Sequence, residues 1–263
     1  KLVLCDSDYK SHNIDPKKIK KDVDVICAVD MAGAPSNYNL LKKLNKIIVS
    51  DAAESIGSEY DGLKIGSNSL ITTTSFHTSK IITAGEGGMI FTNNKKISEI
   101  CRLLINQGYG SGGYEKHDHV AKGLNFRMTG LQAAIGLSQI KKLPFLLKKR
   151  KKNAELYTKN LKDFVEMHEF YLNSNSSYYS YLILLKNKSQ RDKLMKYLIK
   201  NKVQVKLWKP IHLYKPYKKH QKNLFNISED IFKRHLRLPL NNLTTKNEIN
   251  YPSRLIKKFL LKY

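Results

Sequence analysis

Only three cysteines, Cys5, Cys27 and Cys101, occur in 263 residues; they are far apart and include no C-x-x-C pair. That argues against a disulfide framework and against the common zinc and dithiol sites. Their apolar or helical surroundings predict reduced core residues. Long apolar runs are missing too: the longest, such as 181–185, fall far short of the roughly 20 residues that span a bilayer, and no signal-peptide pattern opens the chain. A cytoplasmic protein without membrane association is expected. Acidic residues are few, 22 against 47 lysines and arginines, which gives a net charge of +25. Such basicity is one footprint of nucleic-acid binding. Here, however, the lysines are scattered as pairs (Lys17-Lys18, Lys42-Lys43, Lys95-Lys96) and no nucleic-acid motif accompanies them. The densest cluster, 148–152, lies in a helical pattern where one face must be solvated. The charge therefore reads as solvated surface with no nucleic-acid partner, and it would help to recruit an anionic substrate.

Short apolar runs alternate with polar helical stretches through the first half. Strands are expected at 2–5, 23–29, 46–50, 70–76 and 88–92, and helices at 15–21, 37–44 and 95–106. Asp15-Pro16 and Ser36-Asn37 look like helix starts. From Thr129 the pattern turns helical, with a break expected at Pro144 and a continuation over 145–161. A strand at 177–185, a helix at 189–200 starting on Ser189 and a strand at 203–207 follow. This order predicts an α/β protein, with a cofactor-binding large domain of mostly parallel sheet over 1–144 and a small α+β domain over 145–263.

The segment 72–88 sets one lysine, Lys80, among small hydroxyls and glycines beyond an apolar strand. Upstream, the run 46–54 delivers a carboxylate, Asp51, where a parallel strand would end. An acid and an amine on neighbouring strand ends are what pyridoxal phosphate (PLP) requires. The amine forms a Schiff base with the cofactor's aldehyde, and the carboxylate keeps the ring nitrogen protonated. Ser75, Thr78 and Ser79 offer hydroxyls suited to a phosphate, and Gly85, Gly87 and Gly88 allow a tight turn.

Asp51-Ala-Ala-Glu54, Ser75-Phe-His-Thr-Ser-Lys80, Gly85-Glu-Gly-Gly-Met-Ile90 and Leu124-Asn-Phe-Arg-Met-Thr-Gly-Leu-Gln-Ala-Ala-Ile-Gly-Leu-Ser-Gln139 follow in order, as do Leu207-Trp-Lys-Pro-Ile-His212 and Arg237-Leu-Pro-Leu240. This series resembles the signatures of the DegT/DnrJ/EryC1/StrS aminotransferases, enzymes of the fold-type-I PLP class that aminate nucleotide-linked keto sugars. The resemblance implies that Lys80 carries the cofactor and that Asp51 meets its ring nitrogen. Glu54 is implied near the ring hydroxyl and Ser75 on the phosphate. Asn125 would reach the phosphate of the partner subunit's cofactor, which makes a homodimer with shared sites. Arg127 and His212 match positions near substrate or interface. The implied reaction moves an amino group from an amino-acid donor, glutamate in relatives, to a keto sugar, most often a 4-keto-6-deoxyhexose.

The resemblance also implies a longer protein, since family members carry roughly a hundred residues before the point where this sequence begins. That stretch holds a helix start that cradles the phosphate and an aromatic that stacks on the ring. On this reading residues 1–263 alone bind PLP weakly and turn over no sugar nucleotide.

Other readings exist. Dehydratases of the same family replace the lysine with histidine, which Lys80 argues against. A non-catalytic sensor or structural partner is a separate class, distinguished by the absence of bound cofactor. The glycine-rich stretch 106–114 follows a helix, unlike a P-loop or dinucleotide-binding turn, and reads as a loop near the substrate. His117-Asp-His119 has the spacing of a metal pair but lacks further ligands, so no metal is expected. Tyr178, Tyr179 and Tyr181 read as strand packing residues, whereas Trp208 and His212 fall in a loop signal after a strand, where the resemblance implies residues over the active site.

Overall fold

The computed structural model describes residues 1–110, 118–220 and 224–262. Strand β1 (Val25–Val29) leads through helix α1 (Tyr38–Lys42) to β2 (Ile47–Asp51). A short antiparallel pair follows, β3 (Glu59–Tyr60) and β4 (Leu63–Lys64), and then β5 (Ile71–Ser75) and β6 (Gly88–Phe91). The main sheet runs β1-β2-β5-β6; the first three strands are parallel and β6 is antiparallel to β5. Parallel neighbours need a crossover, and α1, capped by the Asn37 side chain on Leu40 N, supplies the first one.

Alternation along β1 buries Ile26 and Ala28 in a core with Tyr38, Leu41, Ile48 and Tyr60, and leaves Val25, Cys27 and Val29 on the exposed face. Cys27 is therefore exposed, and Cys5 and Cys101 are only half-buried. None is the core residue the sequence predicted; for Cys27 the reason is that a pleated strand places every second member of an apolar run on its other face. No strand forms at 2–5, where the only nearby pairing is the single bridge Ser7↔Ile14. The expected helix over 15–21 shrinks to one 3₁₀ turn, Pro16–Lys18, which Asp15 caps by accepting from Lys17 N; the backbone turns extended again at Ile19.

Beyond α2 (Lys95–Ile105), α3 (Gly130–Ile140) opens with a Thr129–Gln132 capping box. The next helix, α4 (Leu143–Leu161), contains Pro144 in its first turn. There the missing N–H costs nothing, so the proline starts this helix and the break falls before it. The chain continues through β7 (Glu166–Met167), β8 (Ser174–Asn175), β9 (Tyr181–Leu184), α5 (Lys188–Lys200), α6 (Asn226–Arg234), β10 (His235–Leu238) and α7 (Lys246–Leu260). Strands β10-β9-β7 form an antiparallel sheet, and one core joins Ile183 and Leu236 from it to Tyr157, Leu161, Leu194, Leu198 and Ile256 from the helices.

Two boundaries differ from the sequence reading. Helix α5 is capped by Asn187 rather than started by Ser189. Strand β9 begins only at Tyr181, because Tyr178 has a φ of 50° and turns the chain. The expected strand at 203–207 does not form; its one ladder contact is the bridge Lys206↔Arg237, although Val203 and Val205 still fill the core.

The stretch before β9 stitches the two halves together. Strand β8 pairs with β3, Ser177 N donates to Gly33 O at 3.1 Å, and Ser177 Oγ donates to Glu54 O at 3.0 Å. Gly33 is required at this crossing: its φ is +89°, and a Cβ would stand 2.3 Å from Ser177 Oγ and 2.8 Å from Tyr179 N.

Candidate active site

Parallel pairing fixes where Asp51 sits. It ends β2 opposite Val29 of β1 and Thr73 of β5. Its Oδ1 accepts from Ala53 N at 3.0 Å, a local turn that holds the carboxylate at the strand end. Three residues on, the Glu54 carboxylate accepts from Ala32 N at 3.0 Å. Burial pushes the Glu54 carboxyl above the usual range; the Ala32 N–H and the charges of Lys80 and Arg237 pull against that rise, while Asp51 adds to it. The two acids and the two cations thus act on one volume at the C-terminal ends of the parallel strands.

Lys80 lies in the loop between β5 and β6. The loop is closed by Phe76 N to Gly87 O at 2.9 Å and Ala84 N to Phe76 O at 2.9 Å, and it is seated by buried Phe76, Ile82 and Ala84. Gly87 supplies the turn back into β6 with a φ of 135°. Lys80 Nζ stands 5.0 Å from the centroid of the Tyr179 ring. Among the described residues this amine has no hydrogen bond or ion pair to a side chain. The neighbouring Ile81 carbonyl accepts from Asn242 Nδ2 at 2.7 Å, and Asn242 in turn accepts from Arg150 Nε at 2.8 Å.

Arg150 belongs to the basic run 148–152, yet it is buried. Its other contacts are the carbonyls of Tyr178, Tyr179 and Leu240. Burial pulls its guanidinium down to about 10. Nothing in a run of five cations marks the buried one. Asp30, just past β1, was also missed: it is fully buried and accepts from Ser36 N, Tyr38 Oη and Ser55 Oγ at 2.8–2.9 Å. Burial pushes its carboxyl up to about 6 despite these donors. Arg237 was quoted only as part of a motif. Its signal is a lone arginine between two leucines that strand alternation buries on the opposite face.

The hydroxyls expected around a phosphate all surround His77. Ser75 Oγ accepts from His77 N at 3.2 Å, Ser79 Oγ lies 2.9 Å from His77 Nδ1, and Thr78 Oγ1 lies 3.4 Å from Nε2. Tyr181 is a buried packing residue as expected, but Tyr179 is more than that, since its ring faces both Lys80 and Arg237. Asn125 bridges Asn106, and Arg127 Nη1 donates to Asn106 Oδ1 at 2.7 Å, on an exposed segment beside α2. His212 is buried, stacked 4.4 Å from Phe225 with Nε2 3.2 Å from Glu229 Oε1. Together with Trp208 and Met31 it borders a largely apolar cavity of about 820 Å³. No recorded contact joins Asn125, Arg127 or His212 to the Lys80 group among the described residues. Residues 111–117, with His117 and the last four residues of the glycine-rich stretch 106–114, lie outside them. Among the described residues no group of three or more His, Cys, Asp or Glu side chains is placed to hold a metal ion, and no helix is long and apolar enough to cross a membrane.

Comparison with known proteins agrees with this geometry. The chain is 32% identical to the UDP-4-amino-4,6-dideoxy-N-acetyl-beta-L-altrosamine transaminase of Helicobacter pylori, over 92% of this chain and 68% of that protein. The solved structure of Helicobacter pylori PseC, an aminotransferase involved in the biosynthesis of pseudoaminic acid, superposes with a TM-score of 0.90 at 28% identity, covering 98% of this chain and 73% of that one. The PLP form of the putative sugar aminotransferase Spr1654 from Streptococcus pneumoniae shares the fold, with a TM-score of 0.90 at 24% identity over 99% of this chain and 75% of that one. The profile of one family spans residues 1–254, and the chain belongs to the DegT/DnrJ/EryC1/StrS aminotransferase family.

Proposed function

We propose that this protein transfers an amino group from glutamate to a nucleotide-linked keto sugar, a 4-keto-6-deoxyhexose, with PLP as cofactor. The observation that carries the reading is the Lys80 amine, which makes no ion pair among the described residues, while its charge reaches the Glu54 carboxyl that Asp51 also influences. The residues present suit PLP: an amine without an acid partner, a strand-end carboxylate with one oxygen bound only to backbone, and a hydroxyl-rich turn. PLP, when bound, supplies an electron sink and carries the amino group between the two substrates.

In this assignment Lys80 holds the cofactor and then, once displaced, moves a proton at the substrate carbon. Asp51 holds the proton on the ring nitrogen, an electrostatic role that works best where water is excluded. Glu54 faces the ring hydroxyl, and Ser75 takes the phosphate. Asn125 completes the phosphate site of a second copy, with Arg127 and His212 near substrate or interface. A homodimer is consistent with the apolar side chains near Asn125, since Phe126, Leu131 and Leu137 are each more than 60% exposed. The test is borohydride reduction of the holoprotein followed by peptide mass spectrometry. The pyridoxyl mass is expected on Lys80 and is lost in Lys80→Ala, which keeps its circular dichroism spectrum; an adduct on another lysine overturns the assignment.

A further inference from the structure

Arg237 lies on β10 with its guanidinium over two rings, Cζ 5.1 Å from the Tyr179 centroid and 5.0 Å from that of Trp208. Its backbone pairs with Lys206. Its side chain makes no hydrogen bond and no ion pair among the described residues. A charge so placed is held against two aromatic rings but unpaired, and its planar N–H fork is the group that takes a carboxylate through two parallel bonds. Glu54 feels this charge but already accepts from Ala32 N.

Distance decides which anion fits. Lys80 Nζ and Arg237 Cζ flank the same Tyr179 ring, at 5.0 and 5.1 Å from its centroid, so they lie within about 10 Å of each other. In an amino acid the nitrogen and the α-carboxylate carbon are about 2.5 Å apart, and a forked guanidinium–carboxylate pair sets its two carbons about 4 Å apart. A donor whose nitrogen replaces the Lys80 amine therefore reaches Arg237 with its α-carboxylate or, extended, with the side-chain carboxylate of glutamate. A nucleotide diphosphate also fits a guanidinium fork, so the carboxylate assignment rests on this reach from the Lys80 amine. From this geometry we infer that Arg237 is the donor-binding residue, gripping a carboxylate of the amino-acid donor in a fork that Tyr179 and Trp208 hold in place. The inference rests on the aminotransferase reading of the site.

The test measures binding apart from turnover. Glutarate, the donor without its amino group, is titrated calorimetrically into the holoprotein and into Arg237→Gln and Arg237→Lys. Losing a charge-assisted fork weakens glutarate by about 30-fold in the glutamine variant, and by less in the lysine variant, which keeps the charge. The KM for the keto sugar stays within about threefold, because the donor fork leaves that substrate untouched. Unchanged melting temperature and PLP absorbance show that both variants fold. Glutarate binding that survives Arg237→Gln, or a loss confined to the nucleotide sugar, overturns the inference. A wild-type protein that takes up no PLP sinks the aminotransferase reading and the donor assignment with it, whereas a PLP-loaded protein whose glutarate binding ignores Arg237 sinks the inference alone.

Discussion

Lowering the pH from 7 to 5 should destabilise this fold by about 4 kcal/mol. Three buried histidines carry the effect. Burial pulls His168 and His235 down to about 4 and His12, stacked on His168, down to about 2, all from an ordinary 6.5. Each stays neutral in the folded chain while its unfolded counterpart takes up a proton below 6.5. Stability is therefore full above that value and falls as the pH drops, by about 2 kcal/mol per histidine at pH 5. Asp30 has the opposite sign. Its folded carboxyl titrates near 6 and its unfolded one at 3.8, so protonation of the folded state returns about 1.3 kcal/mol between pH 7 and pH 5. Glu54, also raised, returns a further part. Urea titrations followed by circular dichroism at intervals from pH 8 to 4.5 give the slope, expected near an uptake of two protons on unfolding around pH 5.5. His12→Asn, which suits the local φ of 57°, should lower the uptake by about one proton. Unfolding free energies within about 1 kcal/mol of each other at pH 7 and pH 5 would refute the buried-neutral assignment.

The other expectations concern the site and its support. Asp51→Asn should cut the amination rate by several orders of magnitude while PLP still binds measurably, because an amide cannot hold the ring-nitrogen proton but leaves the phosphate contacts in place; near-normal turnover would mean that Asp51 only ends a strand. Gly33→Ala should cost at least about 2 kcal/mol in urea unfolding, from the positive φ and the collision with Tyr179 N, and should weaken PLP binding by displacing Tyr179 from Lys80; a wild-type unfolding midpoint would contradict the crossing described for residues 33 and 177.

What the sequence revealed and what it hid divide along physical lines. Strands β1, β2, β5 and β6 were legible because apolar runs of strand length lay between turn residues, and Asp51 and Lys80 followed from where those runs stop. The runs at 2–5 and 203–207 have the same local pattern, but each finds only a single bridge, and local composition carries no record of a missing neighbour. Cys27 shows the same limit at the level of one residue: its strand was placed correctly, but which face the fold covers is a tertiary fact. Arg150 is hidden for another reason. Five adjacent cations look alike in sequence, and only the angle at which α4 lies against residues 178–179 and 240 selects one for the interior. Tyr179 could be read as packing because an aromatic next to a strand usually packs; its contact with two cations needs the approach of the chain's two halves.

The brace beneath Lys80 has a consequence for how the protein is made. The carbonyl beside Lys80 is held by Asn242, 161 positions further along the chain, and Asn242 is itself held by Arg150. A ribosome delivers residues in order, so Lys80 emerges long before either partner. Until residue 242 has emerged, the hydrogen bond that fixes the Ile81 carbonyl cannot form and the Lys80 loop lacks that support. A stalled product ending before residue 242 therefore carries Lys80 but lacks the brace beneath its loop.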